Sequence, residues 1–137
     1  MNYLLDTNAC IALINGSPAS VRKRLQRAAA DGSQVFVSSV VVFELWYGVA
    51  KSSREDFNTE RLKAFLSGPV TLLPLAEEDA RVAGSIRAAL EISGKPIGAY
   101  DVLIAGQALN GQLTLVTANV SEFSRVQGLA WQDWAKP

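Results

Sequence analysis

The chain has 137 residues with 13 basic and 13 acidic side chains, one cysteine and no histidine. This length suits one domain with a buried core, and the formal net charge of zero argues against a surface coated in basic residues for tight nonspecific DNA binding. The lack of histidine excludes Ser-His-Asp and Cys-His catalysis, two-histidine ribonuclease chemistry and histidine-based zinc sites. Any reaction must therefore depend on carboxylates, hydroxyls or a hard metal ion.

The single cysteine, Cys10, cannot form an internal disulfide, and the longest apolar stretch, VFVSSVVVF, is too short to span a bilayer. The first residues lack the basic lead and small-residue cleavage site of a signal peptide, and Asp6 interrupts them. We therefore expect a cytoplasmic protein with a single domain, residues 1–137, and no membrane segment.

The first elements along the chain are a strand and two helices. Residues 2–5 (NYLL) predict a short buried strand, and a helix follows from about Asn8 until Gly16. Ser17 is the expected cap of the next helix, with Pro18 in its first turn, and that helix continues through SVRKRLQRAAA.

The middle of the chain predicts two more strands and two more helices. VFV at 35–37 is β-branched and aromatic and predicts the second strand. Ser38 or Ser39 then caps a helix, VVVFELWYGVAK. Residues 54–67 predict an amphipathic helix that ends at the following Gly-Pro pair, and VTLLPL predicts the third strand.

The last part of the chain continues the alternation. Helices are expected at 76–92 and 99–109, with the loop SGKPIG between them, and LTLVT at 113–117 predicts the fourth strand. A short helix near SEF and a last strand near GLAW complete the series. Strands separated by helices predict parallel pairing in an α/β layered fold, whose sites lie beyond the carboxyl ends of the strands.

Three carboxylates, Asp6, Glu44 and Asp101, stand alone among apolar residues, whereas most other acids lie beside basic residues on solvated helix faces. Each has an ordinary interpretation: Asp6 can cap a helix, Glu44 can be one exposed point of a half-buried helix, and Asp101 can complement a helix dipole. One shared cause explains all three better, because an unpaired buried charge is costly.

That shared cause is a metal site. Like charges in a poorly solvated cleft repel, a divalent cation removes the repulsion, and all-oxygen ligands favour Mg²⁺ or Mn²⁺ over zinc. Asn119, just after LTLVT, is a fourth candidate ligand or water-holder, and Glu122 is an outer acid. Thr7 or Thr117 can hold a water or a phosphate oxygen, although a hydroxyl after a strand is more often a cap. Such a cluster suits phosphodiester hydrolysis.

Four segments resemble the PIN domain in this order: LLDTN, SSVVVFELWYG, IGAYDVLIAGQAL and LVTANVSEFSRVQGLAWQDW. Together they cover nearly the whole chain, and they look most like the toxins of VapBC-type toxin–antitoxin pairs. The resemblance implies an α/β, three-layer fold with a mostly parallel central sheet flanked by helices. It also implies a Mg²⁺- or Mn²⁺-dependent endoribonuclease.

The resemblance implies that Asp6, Glu44 and Asp101 correspond to the catalytic, metal-binding acids of the family. It also implies that Asn119 occupies a fourth catalytic position, which is aspartate in many members. Asparagine there removes a negative charge, for which Glu122 could partly compensate. Thr7 and Asn8 of the LLDTN motif, with Thr117, are supporting candidates.

The resemblance further implies partners. The substrate would be RNA, notably the anticodon stem-loop of initiator tRNA. A cognate antitoxin would block the acidic cleft with its tail, often with an arginine, and the toxin would form a homodimer or a higher complex with that antitoxin.

RNA that approaches an acidic centre needs positive charge nearby. Lys51 and Lys95 flank the site segments and are the candidate RNA-binding residues, whereas the basic cluster at 22–27 is interpreted as solubilising charge. Trp46 and Tyr47 could stack on bases or line an antitoxin groove, but core or dimer packing is the commoner role of such aromatics.

Two alternatives remain open. A haloacid-dehalogenase-like phosphatase also places an aspartate after its first strand, but it needs a second aspartate where this chain has Asn8. A non-catalytic PIN-like binding module would keep the fold without turnover, against which the three intact acids argue.

Overall fold

The structure is a computed structural model that describes residues 1–136. Across those residues, five short strands form one all-parallel sheet in the order β3-β2-β1-β4-β5. The strands are β1 (Tyr3–Leu5), β2 (Val35–Ser38), β3 (Thr71–Leu73), β4 (Thr114–Val116) and β5 (Trp131–Gln132). The same part of the chain holds α1 (Thr7–Asn15), α2 (Ala19–Ala30), α3 (Ser39–Ala50), α4 (Glu55–Leu66), α5 (Glu77–Ile92), α6 (Ala99–Gly111) and α7 (Val120–Phe123).

The predicted parallel pairing is confirmed, and β1 lies at the centre of the sheet. Leu4 is opposite Phe36 of β2 on one side and Leu115 of β4 on the other. Leu4 and Leu5 are both fully buried. A strand covered on both faces carries a continuous apolar run, which explains why charge appears only after the strand ends.

The chain winds outward from β1 in two directions. It first passes to β2 and β3, and then returns to place β4 and β5 on the opposite side of β1. Right-handed crossovers therefore place the helices of the first half on one face and those of the second half on the other. In agreement, α1 contacts α2, α3 and α4, while α5 packs along α6. The three-layer α/β prediction is confirmed, and its switch point lies between β1 and β4.

The start of α2 differs from the sequence prediction. Ser17 is not its cap: Pro18 occupies the N-cap with an extended backbone (φ −71°, ψ 150°), and no side chain caps the helix. The third strand is also shorter than the predicted VTLLPL, because Pro74 has no N–H to donate to a sheet ladder. The cap of α3 is Ser38, whose hydroxyl accepts a hydrogen bond of 3.1 Å from the Val40 amide.

Aromatic residues divide between the core and the surface. Trp134 is buried and meets Tyr3 edge to face with ring centroids 5.1 Å apart. Trp46 and Tyr47 on α3 are 37% and 58% exposed, so core packing is the wrong interpretation for them. Among residues 1–136, no helix has both the length and the apolar character needed to cross a bilayer.

The contact between α5 and α6 depends on Gly106. A Cβ added there would lie 2.6 Å from the Cβ of Ala83 and 2.7 Å from its amide nitrogen. Gly106 is therefore required for the close approach of the two helices.

We expect Gly106→Ala to lower the free energy of unfolding by about 1–3 kcal/mol, because backbone atoms of α5 must move to admit the methyl group. Chemical denaturation measures this change. The matched control is Gly84→Ala on α5, where an added Cβ meets no atom within 4 Å and helix propensity should improve. Equal stability of the Gly106→Ala and wild-type proteins would contradict the close packing.

Candidate active site

Asp6 follows β1 directly and caps α1. Its Oδ1 accepts a hydrogen bond of 2.8 Å from the Ala9 amide, and the residue is only 5% exposed. Burial raises the pKa of Asp6, and this effect exceeds the lowering by the Thr117 hydroxyl and the Ala9 amide; the charges of Glu44 and Asp133 raise it further. The capping role is therefore real, but it does not remove the cost of burying this carboxylate.

Cys10 lies one turn after Asp6 and donates its backbone N–H to the Asp6 carbonyl at 3.1 Å. Its side chain is 0% exposed. Burial, with a smaller contribution from the Asp6 charge, raises the pKa of the thiol well above its ordinary value. The thiol is thus held protonated and is unsuited to act as a nucleophile.

Glu44 reaches the end of β1 from α3. The Thr7 hydroxyl donates to its Oε1 at 2.7 Å, which links the start of α1 to α3. The Thr7 hydroxyl, which the sequence suggested for a water or a phosphate oxygen, here donates to a carboxylate of the acidic cluster. Asn8, beside it, is exposed and lines a small cavity together with Thr117 and Asp133.

Asp101 lies in the first turn of α6 and pairs with Glu122. Burial, a hydrogen bond with Glu122 and the charge of Glu122 raise the pKa of Asp101 to about 6, and the charges of Asp6 and Glu44 add to the effect. Asn119, which follows β4, donates its Nδ2 to Glu122 Oε2 at 2.9 Å. Asn119 therefore contacts this pair of acids through Glu122.

The mutual effects of their charges show that Asp6, Glu44, Asp101 and Glu122 lie near one another at the carboxyl ends of β1 and β4, a region here called the acidic crevice. Ion pairs within residues 1–136 are confined to α5, so no basic side chain neutralises these four acids. In the same residues, no set of three acidic or cysteine side chains is already arranged around one point as a metal site. The Thr7 hydroxyl and the Asn119 amide each hold one of the four carboxylates by a hydrogen bond.

The donor set nevertheless fits a hard divalent cation. It is made of oxygen atoms and carries excess negative charge, and the pKa of Asp101 is raised first by burial and then by the hydrogen bond with Glu122 and the neighbouring carboxylate charges. The acidic crevice can therefore hold a cation of the Mg²⁺ class but has no ligand set for zinc.

Asp133 was not singled out by the sequence analysis. It follows β5 directly, so it lies at the same edge of the sheet as Asp6 and Thr117. Its charge raises the pKa of Asp6, and its Oδ1 accepts a hydrogen bond of 2.9 Å from the Ala135 amide. Its position directly after the last strand was the feature of the sequence that could have marked it as a candidate site residue.

The basic residues fall into two groups. Lys51 is exposed at the C-terminal end of α3, and Lys95 is exposed in the loop before α6. The Lys51 Nζ lies 4.8 Å from the Tyr47 ring centroid. Arg22 and Arg24 instead link α2 to neighbouring elements. Arg22 donates a hydrogen bond to the Leu13 carbonyl of α1, and Arg24 donates one to the Gln132 side chain of β5. Plain solubilising charge is therefore the wrong interpretation for these two arginines.

A doubly wound α/β sheet with an uncompensated acidic crevice at its switch point defines the structural class. The chain belongs to the PIN domain family, which matches residues 3–129, and within that family it groups with the VapC ribonucleases. The resemblance drawn from the sequence motifs is thereby confirmed.

Similar proteins cover almost all of the chain. It is 40% identical over 138 residues to the tRNA(fMet)-specific endonuclease VapC of Shigella flexneri, covering 98% of this chain and 99% of that protein. It is 38% identical over 136 residues to Ribonuclease VapC2 of Rickettsia felis, covering 99% and 100%. The crystal structure of VapBC2 from Rickettsia felis bound to a promoter DNA fragment has a TM-score of 0.91 at 36% identity, covering 98% and 99%. These likenesses favour a nuclease over the phosphatase alternative.

The repulsion within the acidic crevice predicts how stability depends on pH in the presence of a chelator. The pKa of Asp101 is about 6 in the folded protein against 3.8 for an ordinary aspartate, so the folded state holds this proton more tightly. Its stabilising contribution is complete below about pH 3.8 and is lost as the pH rises through about 6. We expect a loss of about 1 kcal/mol, reduced because the side chain is partly solvated.

Asp101→Asn should remove most of this pH dependence and should be at least as stable as wild type near neutral pH. Denaturant unfolding at several pH values measures both effects. Asp31→Asn, an exposed change at the end of α2, is the matched control and should behave like wild type. A less stable Asp101→Asn protein near neutral pH would indicate a structural role for Asp101 instead.

Proposed function

We propose that this protein is the toxin of a type II toxin–antitoxin system and acts in the cytoplasm as an endoribonuclease that requires Mg²⁺ or Mn²⁺. PIN-domain ribonucleases are generally dependent on divalent metals. The observation that carries the proposal is the meeting of four carboxylates from distant segments in one crevice without a basic counter-charge. Residues 1–137 would form a single PIN domain.

Each residue of the acidic crevice has a proposed role. Asp6, Glu44 and Asp101 would hold the cation, which supplies charge neutralisation and an activated water when bound. Thr7 orients Glu44 through its hydroxyl, and Thr117 does the same for Asp6. These neutral donors fix the carboxylates without cancelling their charge.

Asn119 and Glu122 would complete the site opposite Asp6. The amide of Asn119 fixes Glu122, and Glu122 shares a hydrogen bond with Asp101. This pair can hold a proton near neutral pH, because the pKa of Asp101 is raised to about 6. Asn119 would thus position a catalytic acid and replace the aspartate of other family members at the cost of one negative charge.

The proposed substrate and partners follow from the similar proteins. The Shigella flexneri relative is named as specific for tRNA(fMet), so we propose the anticodon stem-loop of initiator tRNA as the target. The Rickettsia felis structure contains VapBC2, so we propose a cognate antitoxin and a homodimer or larger complex with it. Lys51 and Lys95, exposed near the acidic crevice segments, are the proposed RNA contacts.

We expect Asp6→Asn to reduce cleavage of initiator tRNA by more than about 100-fold, because the amide keeps the shape of the side chain but removes a charge that the cation needs. Gel analysis of RNA incubated with purified protein measures this. The exposed change Asp31→Asn should cleave like wild type. Equal cleavage by wild type and a correctly folded Asp6→Asn protein would refute the catalytic assignment.

Metal dependence has a second readout besides cleavage. Chelator should abolish cleavage, and added Mg²⁺ or Mn²⁺ should restore it. The same ions should raise the Tm of wild type, because a ligand of the folded state stabilises it, and should raise that of Asp101→Asn less. Cleavage that persists in chelator, or an equal Tm shift in both proteins, would argue against the acidic crevice as the metal site.

A further inference from the structure

A groove between α1, α3 and α4 leads away from Glu44. Its volume is about 260 Å³, and Glu44 is itself part of its lining, so the groove borders the acidic crevice at this residue. Apolar side chains from all three helices make up most of the rest: Ile11, Ile14, Leu45, Val49 and Leu62. Asn58 and Arg61 add polar groups. The volume is below that of a site for a drug-sized ligand and suits one planar ring system.

Gly48 also lines this groove, and the fold does not require a glycine there. It lies in the interior of α3, where glycine costs about 0.5–1 kcal/mol relative to alanine, and its backbone is not left-handed. An added Cβ would meet no atom within 4 Å, in contrast to Gly106. The bare backbone at Gly48 therefore leaves space in the groove rather than inside the protein.

Basic and aromatic side chains stand beside the groove on α3, α4 and the turn between them. Two guanidinium groups contact the Phe57 ring, with the Arg54 Cζ 4.1 Å and the Arg61 Cζ 5.4 Å from the ring centroid. Arg61 is held by hydrogen bonds to the Ile14 carbonyl (3.0 Å) and the Asn15 side chain (2.8 Å). The ion pairs of residues 1–136 include none of these cations.

Exposed rings combined with cations are the means by which proteins hold single-stranded nucleic acid. Lys51, at the C-terminal end of the helix that carries Glu44, forms a further pair of a cation and an exposed ring with Tyr47. A polyanion cut at an acidic centre must be held by positive charge outside that centre. The charge beside the groove is therefore complementary to an RNA strand whose cleaved phosphate lies at Glu44.

We propose that this groove receives one unpaired base of the RNA substrate, next to the phosphate that is cleaved, and that Gly48 keeps the space open. The proposal rests on the ribonuclease function proposed above and adds a specificity subsite to it. A protein segment is the competing occupant of an apolar groove, and the experiment below separates the two.

Gly48→Leu tests the subsite because it fills the groove without crowding the fold. The probe is the anticodon stem-loop RNA of initiator tRNA, intact or with each loop base removed in turn to leave an abasic position. We expect Gly48→Leu to raise KM for the intact RNA about tenfold, with a Tm at or above that of wild type. One abasic position should cost the wild type a similar factor and should cost Gly48→Leu nothing further.

Gly84→Leu on α5 is the matched control, because it adds the same side chain to another open glycine within a helix. It should cleave every RNA like wild type. Binding of the fluorescently labelled RNAs in the Asp6→Asn background, followed by anisotropy, reports on the groove separately from cleavage. There too, Gly48→Leu should bind about tenfold more weakly.

The outcomes are distinct. Unchanged RNA binding and cleavage by Gly48→Leu would overturn the subsite and leave the ribonuclease function intact. If, in addition, Gly48→Leu alone escaped inhibition by the purified antitoxin, the occupant would be a protein segment. A wild type that cuts no RNA with either metal would refute the proposed function, and the binding measurement would still decide on the groove.

Discussion

Burial of several like-charged carboxylates at the carboxyl ends of β1 and β4 dominates the energetics of the acidic crevice. Asp6 is almost sealed from solvent, and Asp101 has a pKa raised to about 6. Neutral donors, among them Thr7 and Asn119, hold the carboxylates and offset part of the lost hydration without cancelling charge. Burial of these like charges costs free energy, and under the proposed function a bound cation would offset that cost and so would link metal binding to stability.

The topology explains how short elements can create such a site. With strands of only two to four residues, the carboxyl ends of β1, β4 and β5 are all close to the helices that follow β2 and precede β4. Asp6 and Asp133 need only follow their strands, whereas Glu44 needs only to lie in the second turn of α3 and Asp101 in the first turn of α6. The reversal of winding beside β1 opens the crevice between them.

The sequence predicted the features that depend on local pattern, namely the strands, the helices and the candidate acids. It did not predict contacts between side chains of different elements. The isolation of Asp6, Glu44 and Asp101 among apolar residues pointed to one shared site, and the alternation of strands and helices predicted the parallel sheet. Nothing local indicated that Asp101 pairs with Glu122, because that contact depends on how α6 sits beside α7. The start of α2 was mispredicted for a smaller reason: a proline near a helix start fits both the N-cap and the first turn.

Cys10 has a practical consequence for work on this protein. The only thiol of the chain is enclosed next to Asp6 and kept protonated, so alkylating reagents should not reach it while the protein is folded. Its modification would then require the α1 region to open, and the labelling rate becomes a clock for that opening. A second cysteine placed on the surface could also carry a fluorophore selectively, without first removing the native one.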